Sequence, residues 1–335
     1  MTSEERATLI EIVNLKMWFP LRLGFLSTVF GWGKDRYLHA VDGVTFDLRR
    51  GEILGLAGES GSGKTTTGMT AIRLYEPTSG SIRFEGKDLK DLSSESLREF
   101  RSKAQIIFQD PYGSLNPKFP IFHVMEEPLI IHKKGNNHME REFRVRQALE
   151  QCGLTPAEVF FGKYPHQLSG GQRQRIAIAR AMVLQPEFIV ADEPVSMLDV
   201  SIRAGILNIL KSLSQDVGVA ILYISHDLST IRYICHRTAI MYLGRIVEMG
   251  PTLSVLEKPF HPYSKALISA IPVPDPHYHR ERLNIKGEIP NPIDLPSGCR
   301  FYTRCENAEK RCSEEEPTLK FMEEGHQVAC HQALN

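Results

Sequence analysis

"EILGLAGESGSGKTTTGMTAIRLY", Glu52 to Tyr75, decides the fold. It opens with an apolar run of strand length, passes through a glycine-serine loop and continues as a segment of helical composition. The loop, Gly58 to Thr65, satisfies the pattern G-x-x-x-x-G-K-T and lies between strand and helix, where a phosphate-binding loop has to lie. Gly58, Gly61 and Gly63 let the backbone wrap closely enough for its N–H groups to face phosphate oxygens. Lys64 brings a point charge to the β- and γ-phosphates, the Thr65 hydroxyl can ligand Mg²⁺, and the helix N-terminus adds a favourable dipole. Gly58, Glu59, Ser60, Gly61, Ser62, Gly63, Lys64, Thr65 and Thr66 are the candidate contacts of a nucleoside triphosphate. A glycine-serine turn matching by chance would have no reason to carry the correct flank on both sides.

Outward from this loop, "AQIIFQ" from Ala104, "EFIVAD" from Glu187 and "VAILYIS" from Val219 have the same buried-strand character. Helical segments such as "QRQRIAIARAMVL" from Gln172 alternate with them, which predicts an α/β core with a mostly parallel sheet. "FIVADEP" ends one of these strands in Asp192 and Glu193, at the carboxyl edge where open α/β sheets bind ligands. Alone, such a pair is as readily a helix cap. Beside a phosphate loop, Asp192 is read as orienting Mg²⁺ through water and Glu193 as the general base that polarises the attacking water.

Residues 111–171 contain helical candidates such as "EREFRVRQALEQCGL" and few β-branched runs, and are read as a helical subdomain inserted into a core over 8–110 and 172–250. Nine prolines between Pro251 and Pro296 mark a change to extended and turn structure, so 251–335 is read as a C-terminal extension. The 335 residues carry 40 basic and 40 acidic side chains, a balance that argues against an electrostatic nucleic-acid binder. "MTSEERATLIEIVNL" lacks the basic start and apolar core of a secretory signal, and no later stretch approaches the ~18 apolar residues of a membrane span. The expectation is a soluble, unexported chain.

"LSGGQRQRIAIARA", Leu168 to Ala181, set between the phosphate loop and the Asp-Glu pair, resembles the signature of the ABC-type ATPases. "FQDP" at Phe108–Pro111 is similar to the family's Q-loop, "SMLD" at Ser196–Asp199 to its D-loop and "SHD" at Ser225–Asp227 to its H-loop. The six motifs stand in family order, and the resemblance spans about residues 10–335. It implies an ABC-type P-loop ATPase fold whose Ser169, Gly170, Gly171 and Gln172 face the γ-phosphate held by another subunit, with Asp199 reaching that subunit's phosphate loop. ATP is then buried between two chains arranged head to tail. The resemblance further implies Gln109 near Mg²⁺ and the attacking water, and His226 on the γ-phosphate, keeping Glu193 and the water in line. Met197 stands where the family usually has Ala, which leaves the acidic residue in register.

An aromatic residue upstream of the phosphate loop stacks on adenine in the family. Phe19 in "LKMWFP" is the candidate and Tyr37 the runner-up, with core packing the alternative for either. Phe25, Phe30 and Trp32, in the apolar and glycine-rich segment between them, are candidates for contact with a membrane partner or the bilayer; packing against the sheet is the equal alternative.

One cassette with no sustained heptads and no net charge favours transport over the DNA-maintenance branch. "QDPYGSLNP", "DEPVSMLDVSI" and "HPYSKALISAIPVPDP" look like the phrasing of the peptide and nickel uptake subfamily. The implied activity is ATP hydrolysis coupled to import of di- and oligopeptides, with an oligosaccharide or nickel importer as the alternative cargo and a soluble non-transport ATPase as the alternative class. The implied partners are a second ATP-binding subunit, identical or homologous, two transmembrane permease subunits and, indirectly, an extracytoplasmic substrate-binding protein. Nucleic acid is not among them. The implied place is the cytoplasmic face of the membrane, held peripherally.

Four of the six cysteines, Cys299, Cys305, Cys312 and Cys330, fall in the last 37 residues, spaced C-x₅-C-x₆-C-x₁₇-C. Structural zinc sites favour C-x₂₋₄-C pairs, and none is present here. Spacing leaves an iron–sulfur cluster, zinc and unliganded thiols open. The subfamily resemblance implies a 4Fe-4S cluster on these four residues, with zinc second. The tail has little core of its own on this reading, so the metal would hold it together. His326 and His331 are near enough to substitute as ligands, although solvated surface is their expected state.

Overall fold

The computed structural model describes residues 7–21, 36–271, 285, 287–288 and 290–334. The segment with Phe25, Phe30 and Trp32 lies outside the described residues. Two long strands come first, β1 (Thr8–Leu21) and β2 (Arg36–Arg49), followed by β3 (Ile53–Ala57), β4 (Ser79–Phe84) and the two-residue β5 (Lys87–Asp88). In β1 the buried positions are Leu9, Ile10 and Ile12, then Leu15 and Met17, with Ile10–Ile12 and Leu15–Met17 each alternating by two. The alternation slips by one at Asn14, whose φ of 48° lies in the left-handed region and whose backbone N–H donates to Thr45 Oγ1 at 2.8 Å. That slip keeps one face apolar on both sides of the irregularity.

The chain divides into two compact units. The first is formed mainly by Phe84–Ile224. Its sheet consists of β6 (Ala104–Ile107), β7 (Phe188–Asp192) and β8 (Ala220–Ser225), all parallel, with Ile106 opposite Val190 and Val190 opposite Leu222. Every residue of β7 is buried, the pattern of a strand covered on both faces. Between β6 and β7 the chain is helical: Pro111–Ser114, Ile121–Ile131, His138–Gln151, Glu158–Phe161 and Gly170–Met182. Asn137 starts the third of these by accepting from the Glu140 N–H at 2.9 Å, and the buried Glu126 takes Arg141 Nε at 2.7 Å to tie it to the second.

The second unit is formed mainly by Glu11–Asp47, Leu54–Arg83 and Ser225–Asn335. Here β3 pairs in parallel with β9 (Arg237–Tyr242), but β9 turns straight into β10 (Arg245–Pro251) as an antiparallel hairpin. The two turn residues, Leu243 and Gly244, both have positive φ, 43° and 79°, the geometry that matches a two-residue turn to strand twist. Two tail strands, β11 (Lys320–Glu323) and β12 (His326–Val328), extend the sheet antiparallel, β12 on β10. The sheets are therefore mixed, and the expectation of a mostly parallel sheet holds only where helices cross between strands.

The tail is better packed than its sequence suggests. Phe301 is buried against Tyr242 and Tyr263, at ring-centroid distances of 5.3 and 5.5 Å. His326 is not solvated surface: it is fully buried, and its Nε2 lies 2.8 Å from Glu248 Oε1. Glu248, also fully buried, accepts from the backbone N–H groups of Phe260 and His261 as well, so one carboxylate pins β10, β12 and the start of helix Pro262–Ser269 together. His261 is buried too, its ring nitrogen Nδ1 accepting the Tyr263 N–H at 3.0 Å, and burial pushes its pKa down to about 4.

Candidate active site

The phosphate loop follows five buried residues of β3 and leads into helix Lys64–Ala71. Gly63 carries φ of 101°, and a Cβ there would stand 2.1 Å from the Ala40 carbonyl oxygen; at Gly58 it would stand 2.2 Å from that of Met241. The loop is thus seated directly on backbone, which only glycine permits. Gly61, at φ 79°, has nothing within 4 Å, so its glycine answers to conformation alone. Lys64 lies folded into the loop, its Nζ donating to the carbonyl oxygens of Gly58 and Glu59, each at 2.8 Å. Ser60, Gly61 and Thr65 are exposed, Thr65 in the first turn of the helix.

In the first unit, β7 delivers Asp192 buried and Glu193 half-buried. Glu193 has φ of 46°, strained for a residue with a Cβ. Its conformation is fixed by an N–H donated to Ile224 O at 2.9 Å and by a carbonyl that accepts from Ser196 N and Ser196 Oγ at 3.2 and 3.0 Å. Gln109, just after β6, donates through Nε2 to Glu193 Oε2 at 3.2 Å. Residues 84 apart in sequence meet here, and both reach the same point beyond the carboxyl ends of parallel strands.

Ser169 caps helix Gly170–Met182 in a reciprocal pair: its Oγ accepts from Gln172 N at 3.3 Å, and Gln172 Oε1 accepts from Ser169 N at 3.0 Å. Gly171 sits where a Cβ would be 2.7 Å from Ile202, so the signature helix packs tightly on the helix that begins after Asp199. Asp199 is exposed and makes no side-chain cap bond to that helix. Arg173, buried, donates to Pro165 O at 3.1 Å and to the Tyr112 hydroxyl, with its guanidinium 3.7 Å above the Tyr112 ring.

In the second unit, His226 is exposed directly after β8, on a turn closed by Asp227 N donating to Ser225 Oγ at 3.0 Å. Phe19 is half-buried, edge-on to Tyr75 at 5.4 Å. Tyr37 belongs to a different group, beside Trp18 at 6.3 Å.

All four tail cysteines line one small pocket, together with His261 and Phe301. His331 also lines it, its Nε2 3.0 Å from Glu315 O, whereas His326 lies in the sheet and is not in the lining. Among the described residues no group of three or more His, Cys, Asp or Glu is arranged to hold a metal ion. Burial pushes the Cys299 thiol up to about 12 and raises Cys305 as well.

Two arginines that sequence reading passed over belong to this assembly. Arg300 donates to Leu243 O and Asp42; burial alone would raise the Asp42 carboxyl, but the guanidinium holds it below its ordinary value. Arg304 donates to Glu59 in the phosphate loop. No local pattern marks either residue, since the acidic partners lie 258 and 245 residues away.

The ABC transporter family pattern matches residues 41–196, and the pattern described as the oligopeptide/dipeptide transporter C-terminal region matches 247–312. The putative oligopeptide transport ATP-binding protein YkfD of Bacillus subtilis is 48% identical over 97% of this chain and 96% of its own. The dipeptide transport ATP-binding protein DppF of Haemophilus influenzae is 44% identical over 98% and 99%. Among solved structures, the dimeric post-hydrolysis state of the ATP-binding cassette MJ0796 with ADP and Pi superposes with a TM-score of 0.62 at 28% identity, covering 73% of this chain and 99% of that one.

Proposed function

The chain belongs to the ABC transporter family, among its oligopeptide and dipeptide ATP-binding proteins, and on that premise we propose that it hydrolyses ATP to power import of di- and oligopeptides. The observation that carries the chemistry is the Gln109–Glu193 contact. Glu193 is the general base, Gln109 ties it to the helices that follow, and Lys64 turns from its loop carbonyls to the phosphates when ATP arrives. Thr65, Gln109 and Asp192 are the residues that would hold Mg²⁺, Asp192 through water. Ser169, Gly170, Gly171, Gln172 and Asp199 act on the partner chain's nucleotide, and His226 and Phe19 serve the γ-phosphate and the adenine. Residues 8–110 and 172–250 form the ATP-binding core, 111–171 the helical signature subdomain and 251–335 the extension.

Tyr112, Phe119, Val124, Ile130 and Ile131 are among the residues lining a groove of the helical segment. Phe119 and Ile130 are 48% and 57% exposed, an apolar surface suited to a short amphipathic helix from a permease subunit. No described helix is long and apolar enough to cross a membrane; the proposed attachment is peripheral, through that partner. Coexpression with two permease subunits should move the chain into the membrane fraction, and the same chain alone should stay out of it; a fully soluble, active dimer in their presence would defeat the transport reading.

For the tail we propose a 4Fe-4S cluster, on the ground that all four cysteines line one pocket; among the described residues no group of three or more His, Cys, Asp or Glu is arranged to hold a metal ion. Four thiolates are the ligand set that such a cluster takes, one to each iron corner, with zinc the second candidate. Cys299, Cys305, Cys312 and Cys330 would hold it. Protein purified without oxygen is expected to contain about four irons and four sulfides per chain, one iron per cubane corner, lost in Cys305→Ser. Stoichiometric zinc instead would replace the cluster with a structural clip.

A further inference from the structure

Glu59 is an awkward residue for a phosphate loop. Its carboxylate stands next to Gly58, in a segment meant to receive a triphosphate, where a negative charge repels the ligand. The structure gives it three restraints. The backbone N–H donates to the Tyr263 hydroxyl at 2.9 Å, the backbone carbonyl accepts from Lys64 Nζ at 2.8 Å, and the carboxylate accepts from Arg304 Nη1 at 3.1 Å. Two of the three come from the C-terminal extension. Arg304 is itself 7% exposed and closely held: it also donates to the Tyr242 hydroxyl at 3.2 Å, and its guanidinium lies 5.7 Å and 5.9 Å from the Tyr242 and Phe301 ring centres. It is followed directly by Cys305, whose side chain lines the four-thiol pocket.

Building on the nucleotide-site reading above, we propose that Arg304 is a positioning residue of the ATP site. It neutralises Glu59 and fixes the first half of the phosphate loop, so that nucleotide affinity is set partly by the C-terminal extension. The effect is on binding. A loop held in shape before ATP arrives has less to order on binding, and a neutralised Glu59 removes a repulsion felt by bound substrate and transition state alike.

The test is a set of three variants, Arg304→Met, Glu59→Gln and the two combined, with ATP affinity measured by calorimetry over a range of salt and with turnover followed alongside. Arg304→Met should weaken ATP binding about tenfold, the weight of one charge-assisted hydrogen bond, while kcat changes less than KM. Glu59→Gln keeps a hydrogen-bond acceptor for Arg304 and removes the repelling charge, so ATP should bind about threefold more tightly and with a steeper salt dependence. The double variant should recover most of the loss seen in Arg304→Met, because the charge that needed neutralising is gone. Equal weakening of Arg304→Met and the double variant would make the contact a mere brace and overturn the proposal. So would weaker binding by Glu59→Gln alone, which leaves the tail intact and decides the matter even if Arg304→Met does not fold. A wild-type chain that binds no ATP would overturn the nucleotide-site reading, and the proposal with it.

Discussion

Glu193→Gln should lower ATP turnover about a thousandfold, within the range that a positioned general base contributes, while ATP is still bound. Gln is close in size and shape to Glu, and the backbone at this position is held by Ile224 O and Ser196 irrespective of the side chain. The amide cannot accept a proton from water, so hydrolysis stops after ATP has closed the dimer. The variant should therefore accumulate as an ATP-bound dimer, visible by light scattering, and revert to monomer when nucleotide is removed. Gln109→Ala, which removes the 3.2 Å contact but leaves the base, should cost less in turnover and should not trap the dimer. Unchanged hydrolysis in Glu193→Gln would move the base elsewhere.

Gly63→Ala should be close to a loss of function, whereas Gly61→Ala should be mild. Both glycines have positive φ, so an added Cβ costs each about 1 kcal/mol in backbone conformation. At Gly61 nothing lies within 4 Å and the cost ends there. At Gly63 the new carbon would stand 2.1 Å from Ala40 O and 2.9 Å from Met241 Cε, and the first obstacle is backbone that cannot rotate away. The Gly63 carbonyl also accepts both the N–H and the hydroxyl of Thr67, each at 2.9 Å, so any shift that relieves the clash disturbs the first helical turn. Denaturant melts without nucleotide should put Gly63→Ala several kcal/mol below wild type, with ATP binding lost. Similar melts for the two variants would show that the loop moves freely over its seat.

What the sequence makes legible is what is local. The phosphate loop, the strand ending in Asp192 and Glu193, and the signature capping pair each need only neighbours in sequence, and each lies on the element expected of it. Resemblance implies Gln109 near the attacking water, but its contact with Glu193 comes from the structure, because it joins two strand ends that topology brings together. Sheet direction was misread where β9 and β10 form a hairpin: apolar runs look alike in parallel and antiparallel strands, and the turn residues Leu243 and Gly244 are a modest signal. The tail was misread for a different reason. His326 is expected at the surface because composition alone assigns such a polar residue to solvent, and nothing local marks Arg300 or Arg304. Their burial depends on Glu248, Asp42 and Glu59, partners 78 to 258 residues away, which no periodicity reveals.

The central claim is that this chain converts ATP into peptide import, and uptake tests it most directly. The chain, with its paired ATP-binding subunit, the two permease subunits and the substrate-binding protein, would be reconstituted in liposomes holding ATP on the cassette side, and labelled di- and oligopeptides, an oligosaccharide and Ni²⁺ offered outside. The account predicts peptide accumulation that requires ATP and disappears with Lys64→Ala in this chain. Accumulation of the sugar or the metal with no movement of peptide would contradict it.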